Sequence, residues 1–127
     1  ALFDKDDKYH QTCTDILKKI HEPLITTWPV LTEVMYLLNF SIHAQELCFE
    51  FIESGGIDIY LQDSHQVKRI HQLMKQYHDL PMDLADASIV VLAEEKRITT
   101  IFTLDHRDFR VYVPTHILSF SLIPERL

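Results

Sequence analysis

The sequence predicts an α/β fold with a mostly parallel sheet flanked by helices. Short β-branched segments alternate with longer segments of helical period, the pattern of strands joined by crossover helices. No repeat, low-complexity stretch or linker interrupts that alternation along the 127 residues, a length suited to one domain over residues 1–127. Apolar residues at 46% and charged residues at 24% give the balance of a folded chain.

Each element follows from its own pattern. A polar opening leads into a helix over about Tyr9 to His21, with Cys13, Ile16, Leu17 and Ile20 at helical spacing. Leu24 to Thr27 is short and β-branched, as a buried strand would be. Pro29 suits a first helical turn, so a helix runs from about Pro29 to Phe40 with Thr27 or Trp28 at its cap, and Trp28 packs in the core. The next helix, about Ala44 to Glu53, is stopped by the only two glycines, Gly55 and Gly56. Ile57 to Leu61 alternates like a strand. Ser64 to Tyr77 is amphipathic, and Leu84 to Lys96 is apolar on nearly every side through Ala93, as expected of a helix packed deep in a domain. Ile98 to Leu104 is a strand, followed by short strand candidates at Arg110 to Val113 and Leu118 to Leu122.

Composition excludes several classes of function. A net charge of −7 argues against a protein that grips nucleic acid through many Lys and Arg contacts to phosphate. A carboxylate cluster carrying cations still presents positive charge to a phosphate, so a nucleic-acid substrate stays open. Cys13 and Cys48 lack metal-knuckle spacing and read as reduced thiols in or near the core. No apolar run is long enough to cross a bilayer and the first residues do not resemble a signal peptide, so a cytoplasmic protein is expected. There is no Gly-rich phosphate loop and no Ser elbow.

The acidic residues carry the remaining signal. Glu33 shares a helix face with Val30 and Leu37, so its carboxylate is expected among apolar neighbours or reaching water past them. Asp83 reads best as a helix cap, with Asp86 one turn later also suiting the positive end of the dipole. Asp86 is embedded between alanines ahead of an apolar run, and a carboxylate buried there needs a cation or a donor. Asp105 and Asp108 follow a strand directly, which places them beyond its carboxyl end, where parallel α/β sheets bind ligands; the alternative is an ordinary turn. Acids on two helices and one strand end suit Mg²⁺ or Mn²⁺ rather than zinc. Arg107 and Arg110 adjoin this region and are candidates for phosphate contact. His106 reads more simply as a solvent-exposed loop residue, and His71 and His78 as surface or boundary residues.

The stretches TTWPVLTEVMYLL and PMDLADASIVVLAEEKRITTIFTLDHRDF, with the tail RVYVP to FSLIP, resemble the PIN domain, in particular its VapC-like toxin ribonucleases. The resemblance runs from about Phe3 to Pro124. It implies a Rossmann-like sheet with acids converging on one or two Mg²⁺ or Mn²⁺ ions that hydrolyse RNA, and it implies an antitoxin partner and a homodimer. Glu33, Asp86 and Asp105 match the family's catalytic and metal-binding acids, Asp108 a further metal ligand, and Asp83 a companion acid ranked below Asp86. Such proteins place a first metal-binding Asp at the end of an amino-terminal strand, and the present sequence starts just beyond it. Asp4, Asp6 and Asp7 lie past that point and do not replace it. The expectation is therefore a PIN-like domain lacking its first strand, recorded without its natural beginning. An alternative function is a catalytically impaired binding or regulatory module. A phosphoacceptor domain is disfavoured because TLDHRDF offers no lysine.

Overall fold

The structure is a computed structural model in which residues 1–126 are described. Helix α1 (His10–Lys19) is followed by strand β1 (Ile25–Thr27), helices α2 (Trp28–Leu37) and α3 (Ile42–Glu53) and strand β2 (Asp58–Tyr60). A 3₁₀ turn (Ser64–Gln66) then opens α4 (Val67–Gln76), and α5 (Leu84–Lys96), β3 (Thr100–Phe102), α6 (His106–Phe109) and β4 (Ser121–Ile123) complete the order.

All strand pairing is parallel, as the alternation of elements requires, but it is divided. Thr26 of β1 lies opposite Ile59 of β2, and Ile101 of β3 lies opposite Leu122 of β4. Among the described residues no ladder joins the two pairs, so the expected mostly parallel α/β arrangement is present as two parallel halves.

Helix α5 is the centre of the packing. Ala87, Val90, Val91, Leu92 and Ala93 are all buried, so the helix is covered on every side, in agreement with its uninterrupted apolar composition. It packs against α4, α2 and β1. Leu73 and Tyr77, Phe109 and Tyr112, and Phe120 join it in the main core. The ring of Tyr112 meets Tyr77 and Phe109 edge-on, at centroid separations of 5.1 and 5.2 Å. Leu38, Ala44 and Cys48 form a second, smaller cluster between α2 and α3, with Phe3 and Ile52 against it. Both cysteines are buried and free, as expected, and burial pushes both thiols up.

The local stops are legible in the backbone. Ser41 caps α3 by accepting the Ala44 N–H at 3.2 Å. At its other end Gly55 takes φ +86, which lets Gly55 donate to the Ile52 carbonyl and Gly56 to that of Phe51. Helix α5 starts at Asp83, whose carboxylate accepts the Asp86 N–H at 2.8 Å, and ends at Arg97 in the left-handed region.

Four expectations are corrected. Arg110 to Val113 is a turn, because Arg110, Val111 and Tyr112 spend their N–H groups on the His106 and Asp108 carbonyls behind them. The segment after β3 is a short helix rather than a loop, because Asp105 caps it. That helix turns His106 inward, so the residue expected in solvent is 7% exposed. Trp28, expected in the core, is 55% exposed, since the first turn of α2 presents it to an open apolar hollow with Met35, Phe49 and Ile52.

Candidate metal centre

The amino terminus of α5 and the short helix α6 bring distant acids together. Carboxylate oxygens of Asp86, Asp105 and Asp108 all lie within 4.8 Å of one another. Asp86 comes from the first turn of α5, and Asp105 and Asp108 from the cap and first turn of α6. The Asp105 N–H is fixed on Thr103 Oγ1 at 2.9 Å, and its carboxylate accepts the Asp108 N–H at 3.2 Å. The turn expected as the plain alternative for these residues is thus present, as a capped helix, and it also delivers both acids to Asp86.

Asp86 is half-buried, and its carboxyl is pushed up to about 6. Burial is the main cause, and the charges of Asp83, Asp105 and Asp108 add to it, against a lowering hydrogen bond from Tyr112. The Tyr112 hydroxyl donates to Asp86 Oδ2 at 2.7 Å from a fully buried ring. Burial and the neighbouring acids in turn push the Tyr112 hydroxyl far up, so it stays a donor. The donor that sequence reasoning required for Asp86 is therefore Tyr112, 26 residues away and not anticipated. Within FRVYVP nothing marks the tyrosine as anything but a strand residue.

Glu33 stands outside the close trio. The residue is exposed and Leu37 on its face is 63% exposed, so of its two expected surroundings it takes the second, reaching water past its apolar neighbours. Its carboxyl is nonetheless raised, first by the protein atoms that partly desolvate it and then by the charges of Asp83 and Asp105. Glu33 thus lines the edge of the same electrostatic site. Asp83 acts as the cap its spacing suggested and adds its charge to both Glu33 and Asp86. Arg107 and Arg110 are exposed on and just after α6, and His106 Nδ1 lies 3.5 Å from Arg110 Nη2. His106 Nε2 is buried without a partner among the described residues.

A second polar network, also missed in the sequence, ties β1 to α5. Thr27 Oγ1 and Ser88 Oγ are 2.6 Å apart and fully buried, and Ser88 donates to the Ala85 carbonyl at 2.7 Å. Gln62 Nε2 reaches the Ser88 carbonyl at 2.9 Å from the loop after β2. The carboxyl end of β1 is thereby fixed to the helix turn that carries Asp86.

The sequence model of the PIN domain matches residues 1–113. The chain belongs to the PIN domain family. Ribonuclease VapC26 of Mycobacterium tuberculosis is 25% identical to this PIN domain over 126 residues, which is 98% of the chain and 93% of that protein. The match spans both strand pairs and all the acids of the cluster. An oxygen-only donor set with crowded negative charge and one carboxyl raised by its neighbours fits a hard divalent cation, which would relieve that repulsion. In this PIN domain Asp86, Asp105 and Asp108 can hold such an ion, with Glu33 at the margin.

Proposed function

We propose that this PIN domain is a Mg²⁺- or Mn²⁺-dependent ribonuclease that hydrolyses RNA phosphodiesters, acting in the cytoplasm as the toxin of a toxin–antitoxin pair. The observation that carries the reading is the meeting of Asp86, Asp105 and Asp108, 22 residues apart at their widest, in one group of mutually close oxygens. The similarity to a named ribonuclease over nearly the whole chain supports the choice of RNA. When bound, the ion supplies Lewis acidity toward a water and a phosphoryl oxygen.

The protein's part is positional. Asp86, Asp105 and Asp108 are metal ligands, with Asp86 and Asp105 the acids closest to the chemistry. Glu33 completes the catalytic set from the edge, orienting water or taking its proton, and Asp83 keeps the helix start in place. Arg107 and Arg110 are exposed beside the cluster, and they are the groups to meet a substrate phosphate. An antitoxin protein and a second copy of the chain are the proposed partners, supported by the exposed apolar side chains of α2 and α3. No helix among the described residues is long and apolar enough to cross a membrane.

Cleavage of an RNA substrate in Mn²⁺ tests the reading. Asp86→Asn is expected to lower the rate more than about 100-fold, beyond the loss typical of an outer partner. Equal rates for the two proteins would remove Asp86 from the mechanism. A second reading is a PIN-like module that binds partners without chemistry, favoured by the exposed apolar side chains of α2 and α3. Calorimetric titration with Mn²⁺ separates the two, since that module requires no carboxylate-dependent binding.

A further inference from the structure

We infer that Tyr112 is a positioning residue for the metal centre, holding Asp86 in the orientation that presents one oxygen to the cation; this rests on the metal-dependent reading above. Its hydroxyl donates to Asp86 Oδ2 at 2.7 Å, while no other side-chain hydrogen bond reaches that carboxylate among the described residues. One oxygen is thus engaged by the protein, and a carboxylate oxygen of Asp86 lies within 4.8 Å of those of Asp105 and Asp108. The pairing restrains rotation about the side chain and leaves Oδ1 without a hydrogen bond from a side chain among the described residues.

Tyr112 can impose an orientation because it is enclosed by the core. The residue is fully buried, its ring is held edge-on between Tyr77 and Phe109, and the next N–H, that of Val113, donates to the Tyr77 hydroxyl at 2.9 Å. Phe109 belongs to α6, the helix that supplies Asp105 and Asp108. The same aromatic cluster therefore sets both sides of the centre. Loss of a partner that orients a metal-ligating carboxylate typically costs about 10–100-fold in affinity or activity.

Two variants of the full chain distinguish orientation from mere packing. Tyr112→Phe keeps the ring and removes the donor, and is expected to weaken Mn²⁺ binding by calorimetry about tenfold and to lower kcat with KM for RNA little changed. Met74→Ala removes packing from the same core without touching Asp86 or the hydrogen bonds that hold Tyr112, and is expected to retain wild-type Mn²⁺ affinity. Wild-type affinity in Tyr112→Phe, or equal weakening in both variants, overturns the inference. Should Tyr112→Phe fail to fold, the near-ultraviolet tyrosine absorbance of the wild-type chain and of Met74→Ala supplies the reading. Mn²⁺ is expected to perturb it in both, and a flat titration with binding intact overturns the inference. Absence of any Mn²⁺ binding by the wild-type chain overturns this inference together with the metal-dependent reading, whereas binding indifferent to Tyr112 removes this inference alone.

Discussion

The two sides of the molecule use apolar residues in opposite ways. Around α5, leucine, valine and aromatic side chains are withdrawn from water, and the helix start that carries Asp86 is fixed by Asp83, Ser88 and Tyr112. Around α2 and α3 the buried cluster is small, and Tyr36, Leu37, Phe40 and Ile42 remain more than half exposed. A shallow apolar hollow of about 320 Å³ opens on that side, lined by Trp28, Met35, Phe49 and Ile59 among others. The difference teaches that only one half of the apolar content is spent on holding the chain together. That half supports the acids, and the other is left at the surface, where it is available for contact with a partner.

Truncating the two sides should break this contrast most visibly. Leu73→Ala, at a fully buried site of the main core, is expected to lower stability by about 2–5 kcal/mol in urea unfolding. A loss under about 1 kcal/mol would show that the packing around α5 is looser than its burial implies. Saturating Mn²⁺, at about 100 times its dissociation constant, is expected to raise the stability of the wild-type chain by about 2.7 kcal/mol. The same addition to Asp86→Asn should give a much smaller gain.

The acids themselves strain the well-packed side. Because the Asp86 carboxyl titrates at about 6 rather than 3.8, the folded state holds that proton more tightly than the unfolded chain does. Its contribution to stability is therefore full below about pH 4 and is lost as pH rises through about 6. Without metal, Asp86→Asn is expected to be more stable than wild type at neutral pH by about 1–3 kcal/mol, with the advantage vanishing near pH 4. Thermal unfolding of both proteins in chelator across that range checks the sign; a wild-type chain that gains on the variant with rising pH would reverse it. The smallest effect belongs to the open side, where Leu37→Ala should change the stability of the isolated chain by less than about 0.5 kcal/mol.

Where local pattern and tertiary demand agree, the sequence was a good guide. Helix α5 announced its burial by being apolar on all faces, Gly55 and Gly56 marked the end of α3, and parallel pairing followed from alternating strand and helix signals. Asp86, Asp105 and Asp108 were singled out by position, and the structure brings them together. Failures arose where a long-range contact decided the outcome. Tyr112 reads locally as a strand residue, yet its hydroxyl lies on Asp86, and His106 reads as a loop residue, yet Asp105 caps a helix around it. Thr27 and Ser88 gave no local sign of a hydrogen bond across 61 residues. Trp28 was misplaced for the converse reason, because large apolar size does not by itself ensure a partner surface.

The Ser88 hydroxyl, pinned between the end of β1 and its own helix turn, makes α5 intolerant of any change in length near its start. One residue inserted between Asp86 and Ser88 would swing the carboxylate by about 100° relative to the downstream helix. The aspartate would leave its two companions although every side chain of the site was still encoded. Natural or engineered length variation in this protein should therefore gather in the α3–β2 connection and the turns before β4, and spare the half-turn that links Asp86 to Ser88.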